Sequence, residues 1–282
     1  MPATSVAGTR VRRAVVPAAG LGTRLRPITS AIPKEMLPVG RKPVLEHVVD
    51  ELRAARITEV VFVISPGKEV VRAYFGDGCN RGVRCAYVVQ PEMLGLGDAL
   101  LRAEPLVADE PFAVAFGDCI VQAQTPPLAR LLAAQAENAW DAAVLVERVP
   151  RESTSRYGVV SPTPGADAAA AFAIRDVVEK PRPEEAPSDL AVAARWVLCP
   201  AVFDVIRRTP ADANGEVGLT QAVRLLLREG GRVGAVRLLA GERRLDIGAW
   251  RTYLAAAAEA AIDDSESGPA VRDLLAERIE RP

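Results

Sequence analysis

Short apolar runs alternate with segments of helical spacing over the first 150 residues. The first run is RAVVPA at residues 13–18, and a segment at 43–56 then carries apolar residues every three or four positions. Further apolar runs lie at 59–65, 84–90, 112–118 and 141–149, and further helical segments at 97–106 and 127–138. Near-continuous apolar strands alternating with helices are typical of a parallel sheet covered on both faces. The pattern predicts an α/β fold with a mostly parallel sheet flanked by helices.

The alternation of predicted strands and helices ends after residue 150. The strand-like segments YGVVSP, AIRDVVEKP and AVAARWVL follow one another without full helices between them, and helical spacing returns at 219–230 and 249–262. This predicts an added antiparallel portion over the edge of the sheet. We expect a flexible tail at 1–10, one domain at 11–264 (halves 11–150 and 151–264) and a helical tail at 265–282.

Composition narrows the classes of function. Hydrophobic residues make up 49% of the 282 residues, and the formal net charge of −1 gives no electrostatic reason to expect nucleic acid as a partner. The four cysteines have no metal-binding spacing, and a single histidine, His47, cannot build a histidine cluster. The chain lacks a signal-peptide pattern at its start and has no apolar run long enough to span a membrane. We therefore expect a cytoplasmic protein with reduced thiols and no membrane association.

The first strand opens into the stretch AAGLGTRLRP. Ligands of open α/β sheets bind at the carboxyl ends of the strands, so residues at this position are candidates for binding. Small residues such as Gly20 and Gly22 let a phosphate chain approach the backbone N–H groups, and Arg24 adds a planar fork of donors. The spacing matches neither a Walker loop nor a dinucleotide fingerprint, and an ordinary glycine turn is the alternative.

The longer stretch GLGTRLRPITSAIPKEMLPVGRKPVLEH resembles the signature of the sugar-1-phosphate nucleotidylyltransferases. The segment AIPKEMLPV is similar to that of the bacterial UTP–glucose-1-phosphate uridylyltransferases, and the later pieces QPEMLGLGDAL, FGDCIV, RYGVVSP, VVEKP and RLDIG recur in family order. The resemblance covers residues 12–262. It implies the nucleotidyltransferase fold with a Rossmann-like sheet, a Mg²⁺ ion, and a reaction in which an NTP and a sugar-1-phosphate give an NDP-sugar and pyrophosphate.

The resemblance assigns the phosphate-binding cations to Arg24, Lys34 and Lys180. Lys34 follows Pro33 in an otherwise apolar segment, which favours a fixed position over that of a solvated surface lysine. Lys180 would hold the phosphate of the sugar phosphate, and Glu179 would accept hydrogen bonds from sugar hydroxyls. The alternative for these two residues is a strand-end charge pair in solvent.

Two aspartates are the implied magnesium ligands. Asp118 ends the strand FAVAFGD, and Asp246 in RLDIG resembles the second aspartate of the family; a helix-capping role is the alternative for Asp246. The implied nucleotide-binding set is Ala18, Ala19, Gly20, Gly22, Thr23, Glu35, Gln90, Gly95 and Asp118. The implied sugar-phosphate set is Gly158, Glu179, Lys180 and Ala194.

Base recognition is expected at Gln90, whose amide can accept a hydrogen bond from a ring N–H and donate to the neighbouring carbonyl. Gly95 and Gly97 would let the backbone lie against the base and ribose. Uracil and thymine both present the matching pair and differ by one methyl group, which gives only about 1–3 kcal/mol of discrimination. The sequence thus leaves dTTP open beside UTP, and AIPKEMLPV favours UTP.

The sugar-binding motifs depart from the family pattern. The usual SNLA is SDLA at residues 188–191, VGRY is AARW with Ala194 at the glycine position, and DEIQLTDA is GEVGLTQA with Gly218 and Gln221. The usual GLGHA has become GLGDA, with Asp98 at the histidine position. Glucose-1-phosphate, another sugar phosphate and a cyclitol phosphate therefore all remain open as acceptors.

Two further interpretations remain. One is a nucleotidylyltransferase for a different base, and the other is a regulator that binds sugar nucleotides without catalysis. A mere binder would have no need to keep both the cations and the metal ligands, which argues against the second. Leu274 and Leu275 in the tail belong to an apolar set near helical spacing, and we expect the tail to dock on this chain or on another subunit of a homo-oligomer. A frayed terminus is the alternative.

Overall fold

A large mixed sheet runs through the protein, and helices cover both of its faces. The computed structural model describes residues 11–166 and 169–279, so the tail expected at residues 1–10 lies outside the described residues. In these ranges the strands are β1 Arg13–Pro17, β2 Pro38–Val39, β3 Lys42–Pro43, β4 Glu59–Ile64, β5 Arg84–Val89, β6 Phe112–Ala115, β7 Cys119–Gln122, β8 Ala142–Arg148, β9 Gly158–Pro162, β10 Ala171–Glu179, β11 Leu190–Leu198, β12 Val233–Arg237 and β13 Arg243–Asp246. The helices are α1 Val44–Ala54, α2 Glu69–Phe75, α3 Gly95–Val107, α4 Pro127–Asn138, α5 Val202–Arg208, α6 Leu219–Arg228, α7 Trp250–Ile262 and α8 Gly268–Ile279.

The main sheet has nine described strands in the order β5-β4-β1-β6-β11-β8-β12-β10-β9. The first four are parallel to one another, as the alternation of strands and helices predicts. Antiparallel pairing begins at β11 and includes β8, β10 and β9. The predicted α/β fold, with a parallel part and an antiparallel part, is confirmed.

The position of β11 differs from the expectation of an antiparallel portion at the edge. This strand comes from the second half of the chain, yet it lies between β6 and β8 and is antiparallel to both. All nine of its residues are buried. Because β11 carries apolar side chains on both faces, it is stable only in the middle of a sheet that helices cover on both sides.

The core lies on both faces of the sheet. On one face α3, α5 and α6 pack against residues such as Val15, Phe112 and Trp196. On the other face α1 and α4 pack against residues such as Val16 and Phe62. The helical spacing predicted for α1 is confirmed, since its periodic apolar residues are buried: Val44, Leu45, Val48, Val49 and Leu52.

A small ribbon and the last helices complete the architecture. Strands β7 and β13 form a separate antiparallel ribbon, which α7 contacts. Helix α8 contacts α7, and the side chains of Leu274 and Leu275 are 55% and 40% exposed. The expected homo-oligomer stays a prediction. No helix in the described ranges is long and apolar enough to cross a membrane.

Gly234 in β12 lies against the indole of Trp140, and a Cβ atom at this glycine would stand 2.1 Å from Trp140 Cε3. We expect Gly234→Ala to lower the free energy of unfolding by roughly 1–3 kcal/mol, because the overlap is with a rigid ring in a packed core. Urea unfolding of the purified protein measures this loss. Combining the change with Trp140→Leu should recover part of the stability, and a simple sum of the two single losses would contradict the packing argument.

Candidate active site

Two adjoining cavities open where the central strands end. The smaller cavity has a volume of about 270 Å³ and is lined by residues that follow β1, β5 and β6, among them Gly20, Gln90 and Asp118. The larger cavity, of about 590 Å³, is lined mainly by residues from the second half of the chain. Leu96, Phe116 and Glu216 line both. The two halves of the chain therefore contribute to one continuous site.

The loop after β1 is held in shape by a buried lysine. Lys68 Nζ donates to the carbonyl oxygens of Ala18 at 2.6 Å and Gly20 at 2.7 Å, and it pairs with Glu35 Oε2 at 2.8 Å. Burial lowers the pKa of Lys68 and raises that of Glu35, and the attraction between them offsets this only in part. Sequence reasoning missed Lys68, although its position just after β4 follows the rule that ligand sites lie at the carboxyl ends of strands.

Lys34 and Asp118 meet in the smaller cavity. Lys34 Nζ lies 2.5 Å from Asp118 Oδ2, and both side chains are mostly buried. Burial lowers the pKa of Lys34, but Asp118 and Glu35 raise it by more, so its pKa lies above the ordinary value. Burial raises the pKa of Asp118, but Lys34 lowers it by more, so the pKa of this carboxyl group lies below its ordinary value. Both groups therefore carry charge throughout the neutral pH range.

The predicted nucleotide-binding residues of the loop divide into two groups. Ala19 and Gly20 line the smaller cavity, and a Cβ atom at Gly20 would lie 3.3 Å from Lys34 Nζ. Ala18, Gly22 and Thr23 line neither cavity. Gly22 has φ +64°, and a Cβ atom there would lie 3.1 Å from Thr29 Cγ2. The positive φ and the contact with Thr29 give Gly22 a role in shaping the turn, and its contact with a nucleotide stays a prediction.

Gln90 is buried at the end of β5 and lines the smaller cavity. Its amide Nε2 donates to the Gly95 carbonyl at 3.0 Å and to Asp98 Oδ2 at 2.9 Å. Both amide protons are thereby engaged, so Gln90 can offer a base only its oxygen, as the acceptor for a ring N–H. In this arrangement the amide protons are turned away from a base, and the expected donation to a neighbouring base carbonyl stays a prediction. Asp98, at the family's histidine position, is the residue that fixes the amide.

A close approach of the backbone requires glycine at residues 95 and 97, which the sequence did not reveal. A Cβ atom at Gly95, which has φ +91°, would lie 2.6 Å from the carbonyl oxygen of Val217. Gly97 N donates to that same oxygen at 2.7 Å. The glycines let the start of α3 approach the segment before α6, and this approach joins the two cavities.

The β7–β13 ribbon brings the backbones of the two predicted metal ligands next to each other. Asp246 is paired with Cys119 in the ribbon, and Ile247 N donates to the Asp118 carbonyl at 3.0 Å. Arg24 reaches the same point, since a Cβ atom at Gly248 would lie 2.9 Å from Arg24 Nη2 and 2.8 Å from Asp246 Oδ1. Gly248 N also donates to that Asp246 oxygen at 2.8 Å.

The predicted sugar-phosphate residues all line the larger cavity. A Cβ atom at Gly158 would lie 3.2 Å from both Glu179 Oε2 and Thr220 Oγ1, so these groups converge on one point. Lys180 has φ +44°, its side chain is 63% exposed, and its Nζ lies 3.6 Å from Glu179 Oε1. An exposed lysine next to a carboxylate is free to turn towards an incoming anion.

Ala194 lies in an irregular part of β11, between the positions that pair with β8 at Val192 and Trp196. It has φ +59°, a conformation that favours glycine, and it is buried at the wall of the larger cavity. The next residue, Arg195, is fully buried and binds Glu51 Oε2 through Nε at 3.0 Å and Nη2 at 2.6 Å.

Arg195 also donates to backbone carbonyls, that of Ala194 at 2.9 Å and that of Cys119 at 2.9 Å. Burial lowers its pKa, but Glu51 and other nearby acidic groups raise it by more, so the guanidinium stays charged. It therefore ties the wall of the larger cavity to the residue that follows Asp118.

Two further arginines line the larger cavity and were not singled out from the sequence. Arg156 Nη2 lies 3.8 Å from Asp246 Oδ2. Arg244 pairs with Glu147 at 2.5 Å, and its guanidinium lies 3.9 Å from the ring centre of Tyr157. Arg156 stands next to Tyr157, and Arg244 stands two residues before Asp246. Their closeness to the motif residues was the available signal.

The comparisons with known proteins agree with this geometry. The family model for the nucleotidyl transferases matches residues 13–262. A UTP–glucose-1-phosphate uridylyltransferase of Mycoplasma pneumoniae is 35% identical over 269 residues, which cover 88% of this chain and 91% of that protein.

Two solved structures are similar over most of their length. A UDP-glucose pyrophosphorylase complexed with UDP-glucose superposes with a TM-score of 0.80 at 31% identity and covers 88% of this chain and 97% of its own. A UDP-glucose pyrophosphorylase from Acinetobacter baumannii has a TM-score of 0.83 at 29% identity and covers 95% and 99%. With the family signature matched across nearly the whole described chain, this protein belongs to the nucleotidyl transferase family.

Proposed function

We propose that the protein transfers a uridylyl group from UTP to a sugar-1-phosphate, with glucose-1-phosphate as the first candidate, and releases pyrophosphate. The observation that carries the proposal is the pair of adjoining cavities, one with Lys34 and Gln90, the other with Glu179 and Lys180. Such a site has room for two phosphorylated substrates side by side. The relatives' names, UTP–glucose-1-phosphate uridylyltransferase and UDP-glucose pyrophosphorylase, support this choice of substrates.

In the proposed arrangement, UTP occupies the smaller cavity. Gln90 offers its amide oxygen to the uracil ring N–H, since its amide protons are engaged. Lys34, charged and mostly buried, faces the phosphates from beside Gly20. Arg24, which lines the larger cavity, stands beside Asp246 where the phosphates of the two substrates would meet.

The donor set fits a magnesium ion. Asp118 and Asp246 supply hard carboxylate oxygens from neighbouring points of one ribbon, and Mg²⁺ is commonly held by one or two carboxylates together with substrate phosphates. The described residues contain no group of three or more His, Cys, Asp or Glu side chains suited to a metal, so the remaining ligands would be phosphate oxygens and water. When bound, the ion would neutralise charge on the phosphates.

The chemistry needs positioning rather than a side-chain nucleophile. A phosphate oxygen of the sugar phosphate, held by Lys180, forms a bond to the α-phosphorus of UTP. The bond from that phosphorus to the bridging oxygen breaks, and the electron pair leaves with pyrophosphate. Arg24 and Lys34 oppose the negative charge that develops on the leaving group.

The sugar end of the site differs from the resembling motif at Gly218 and Gln221. The amide of Gln221 occupies the space that a side chain at residue 218 would take, since its Oε1 lies 1.9 Å from the position of a Cβ atom. In the resembling motif the glutamine stands at the position of Gly218. We propose that the amide still faces the sugar but reaches it from position 221, so that glucose-1-phosphate and its close analogues remain candidates.

The proposed function is tested by a pyrophosphate-release assay with five NTPs and a panel of sugar phosphates in the presence of Mg²⁺. We expect UTP with a hexose-1-phosphate to give the highest kcat/KM. Asp118→Asn should lower kcat by roughly 100-fold or more, because charge neutralisation by the metal contributes several kcal/mol. Asp109→Asn, which alters an exposed aspartate paired with Arg13, is the matched control. Normal turnover by Asp118→Asn at limiting Mg²⁺ would remove the metal assignment.

Two alanine substitutions in the loop after β1 should have opposite effects. Gly20→Ala crowds only the flexible end of Lys34, so we expect a nearly unchanged melting temperature and a KM for UTP raised roughly tenfold. Gly22→Ala strains a residue with φ +64°, so we expect about 1 kcal/mol of lost stability and little change in KM. Thermal melts and steady-state titrations of both variants measure this. Equal effects on KM would contradict the assigned roles.

Gly218→Ala should act on the acceptor alone. The new methyl group displaces the end of the Gln221 side chain, which costs little stability, and we expect KM for the sugar phosphate to rise about fivefold while KM for UTP stays constant. Gln221→Ala should give the same rise, and the double variant should give no more. If the two single effects multiply in the double variant, the amide is not the group that Gly218 makes room for.

A further inference from the structure

Trp196 has a hydrogen-bond donor with no partner. The residue is 1% exposed and lines the larger cavity, and its indole Nε1 is buried without an acceptor among the described residues. Its ladder partners in the sheet, Val114 and Val144, are apolar. A buried N–H group without an acceptor is unfavourable for the folded protein, so its presence at a cavity wall calls for an acceptor supplied from outside the chain.

The cavity that Trp196 lines has a set of apolar residues beside its charged and polar ones. Leu96, Phe116, Val192 and Leu219 line the same cavity, and Ala194 adds its methyl group from the irregular part of β11. The cations and carboxylates of the cavity come from other segments, such as Arg156 and the pair Glu179–Lys180. A neutral donor whose ladder partners are apolar suits a neutral oxygen. The charged phosphate is better matched by the cations.

We propose that Trp196 determines acceptor specificity by donating its indole N–H to one neutral oxygen of the glycosyl group, a hydroxyl or the ring oxygen. The inference rests on the proposed function. In the resembling motif VGRY a tyrosine stands where this chain has Trp196. An indole donates from the side of its ring and a phenol from the tip. The donor of this chain therefore lies at a different point of the pocket wall.

The direct test observes the donor in the wild-type protein. The chain has three tryptophans, so a ¹⁵N-labelled sample has three indole N–H resonances, and the one missing in Trp196→Phe belongs to Trp196. We expect this resonance to move downfield when the UDP-sugar product is added, as a new hydrogen bond forms. UDP alone should leave it in place. A resonance that does not respond to any UDP-sugar that the protein binds would overturn the proposal.

The kinetic test uses Trp196→Phe, which keeps an aromatic ring and removes the N–H group. We expect kcat/KM for the sugar phosphate to fall roughly tenfold while KM for UTP changes less than about twofold. Trp140→Phe is the control, since Trp140 is buried on the opposite face of the sheet and does not line the cavity. A structural role alone would lower the melting temperature in both variants without separating the two substrates.

Deoxy analogues of the sugar phosphate identify the atom. If Trp196 donates to a hydroxyl, the analogue lacking that hydroxyl has a lower kcat/KM than the parent sugar phosphate with the wild-type enzyme. With Trp196→Phe, the same analogue and the parent have equal kcat/KM. Every other analogue lowers kcat/KM by the same factor in both enzymes. If Trp196 donates to the ring oxygen, a carbocyclic analogue shows this pattern. If the wild-type enzyme is active but no analogue distinguishes it from Trp196→Phe in this way, the inference is contradicted and the proposed function is not. A wild-type enzyme that uses no sugar phosphate contradicts the proposed function and the inference with it.

Discussion

The ammonium group of Lys68 is the constraint on which the rest of the site depends. It is buried, and its hydrogen bonds and ion pair engage two carbonyls of the loop after β1 and the carboxylate of Glu35. Glu35 is the neighbour of Lys34, so one buried charge fixes both the loop and the segment that carries the lysine proposed to bind the phosphates. These partners together offset part of the cost of desolvating Lys68. The loop geometry is therefore coupled to the folding of two separate segments.

Local pattern predicted most of the fold and many of the residues at the site. Strand periodicity and helical spacing are local properties, and the strands of the parallel part and α1 followed from them. Three of the predicted site residues lie in recognisable motifs, and the structure brings each of them to a cavity wall: Lys34, Asp118 and Lys180. Asp246 reaches the same region through the ribbon, a pairing of segments more than a hundred residues apart that no local pattern encodes.

What the sequence could not reveal depends on which groups come into contact once the chain has folded. The insertion of β11 into the centre of the sheet depends on which of several apolar strands pair. Gly95 and Gly97 read as ligand-contacting glycines, but their small size is required by Val217, far away in the chain. The amide of Gln90 was recognised as a group suited to a base. Its NH₂ group is engaged by Asp98 and the Gly95 carbonyl, so only its oxygen is available in this structure. In each case a partner that is unknown from the sequence alters the role of a residue that was recognised.

The buried pair of Arg195 and Glu51 ties together two separate parts of the larger cavity's wall. One guanidinium holds the carbonyl of Ala194, at the sugar side, and that of Cys119, next to the metal-binding Asp118 of the proposed mechanism. The backbone of the sugar wall therefore cannot shift without disturbing the strand that positions the metal ligand. Divergence towards new acceptors is then confined to exchanges of side chains on a fixed frame. The altered residues of this chain, Ala194, Trp196, Gly218 and Gln221, are exchanges of that kind. The cations proposed to bind phosphate are retained: Arg24, Lys34 and Lys180.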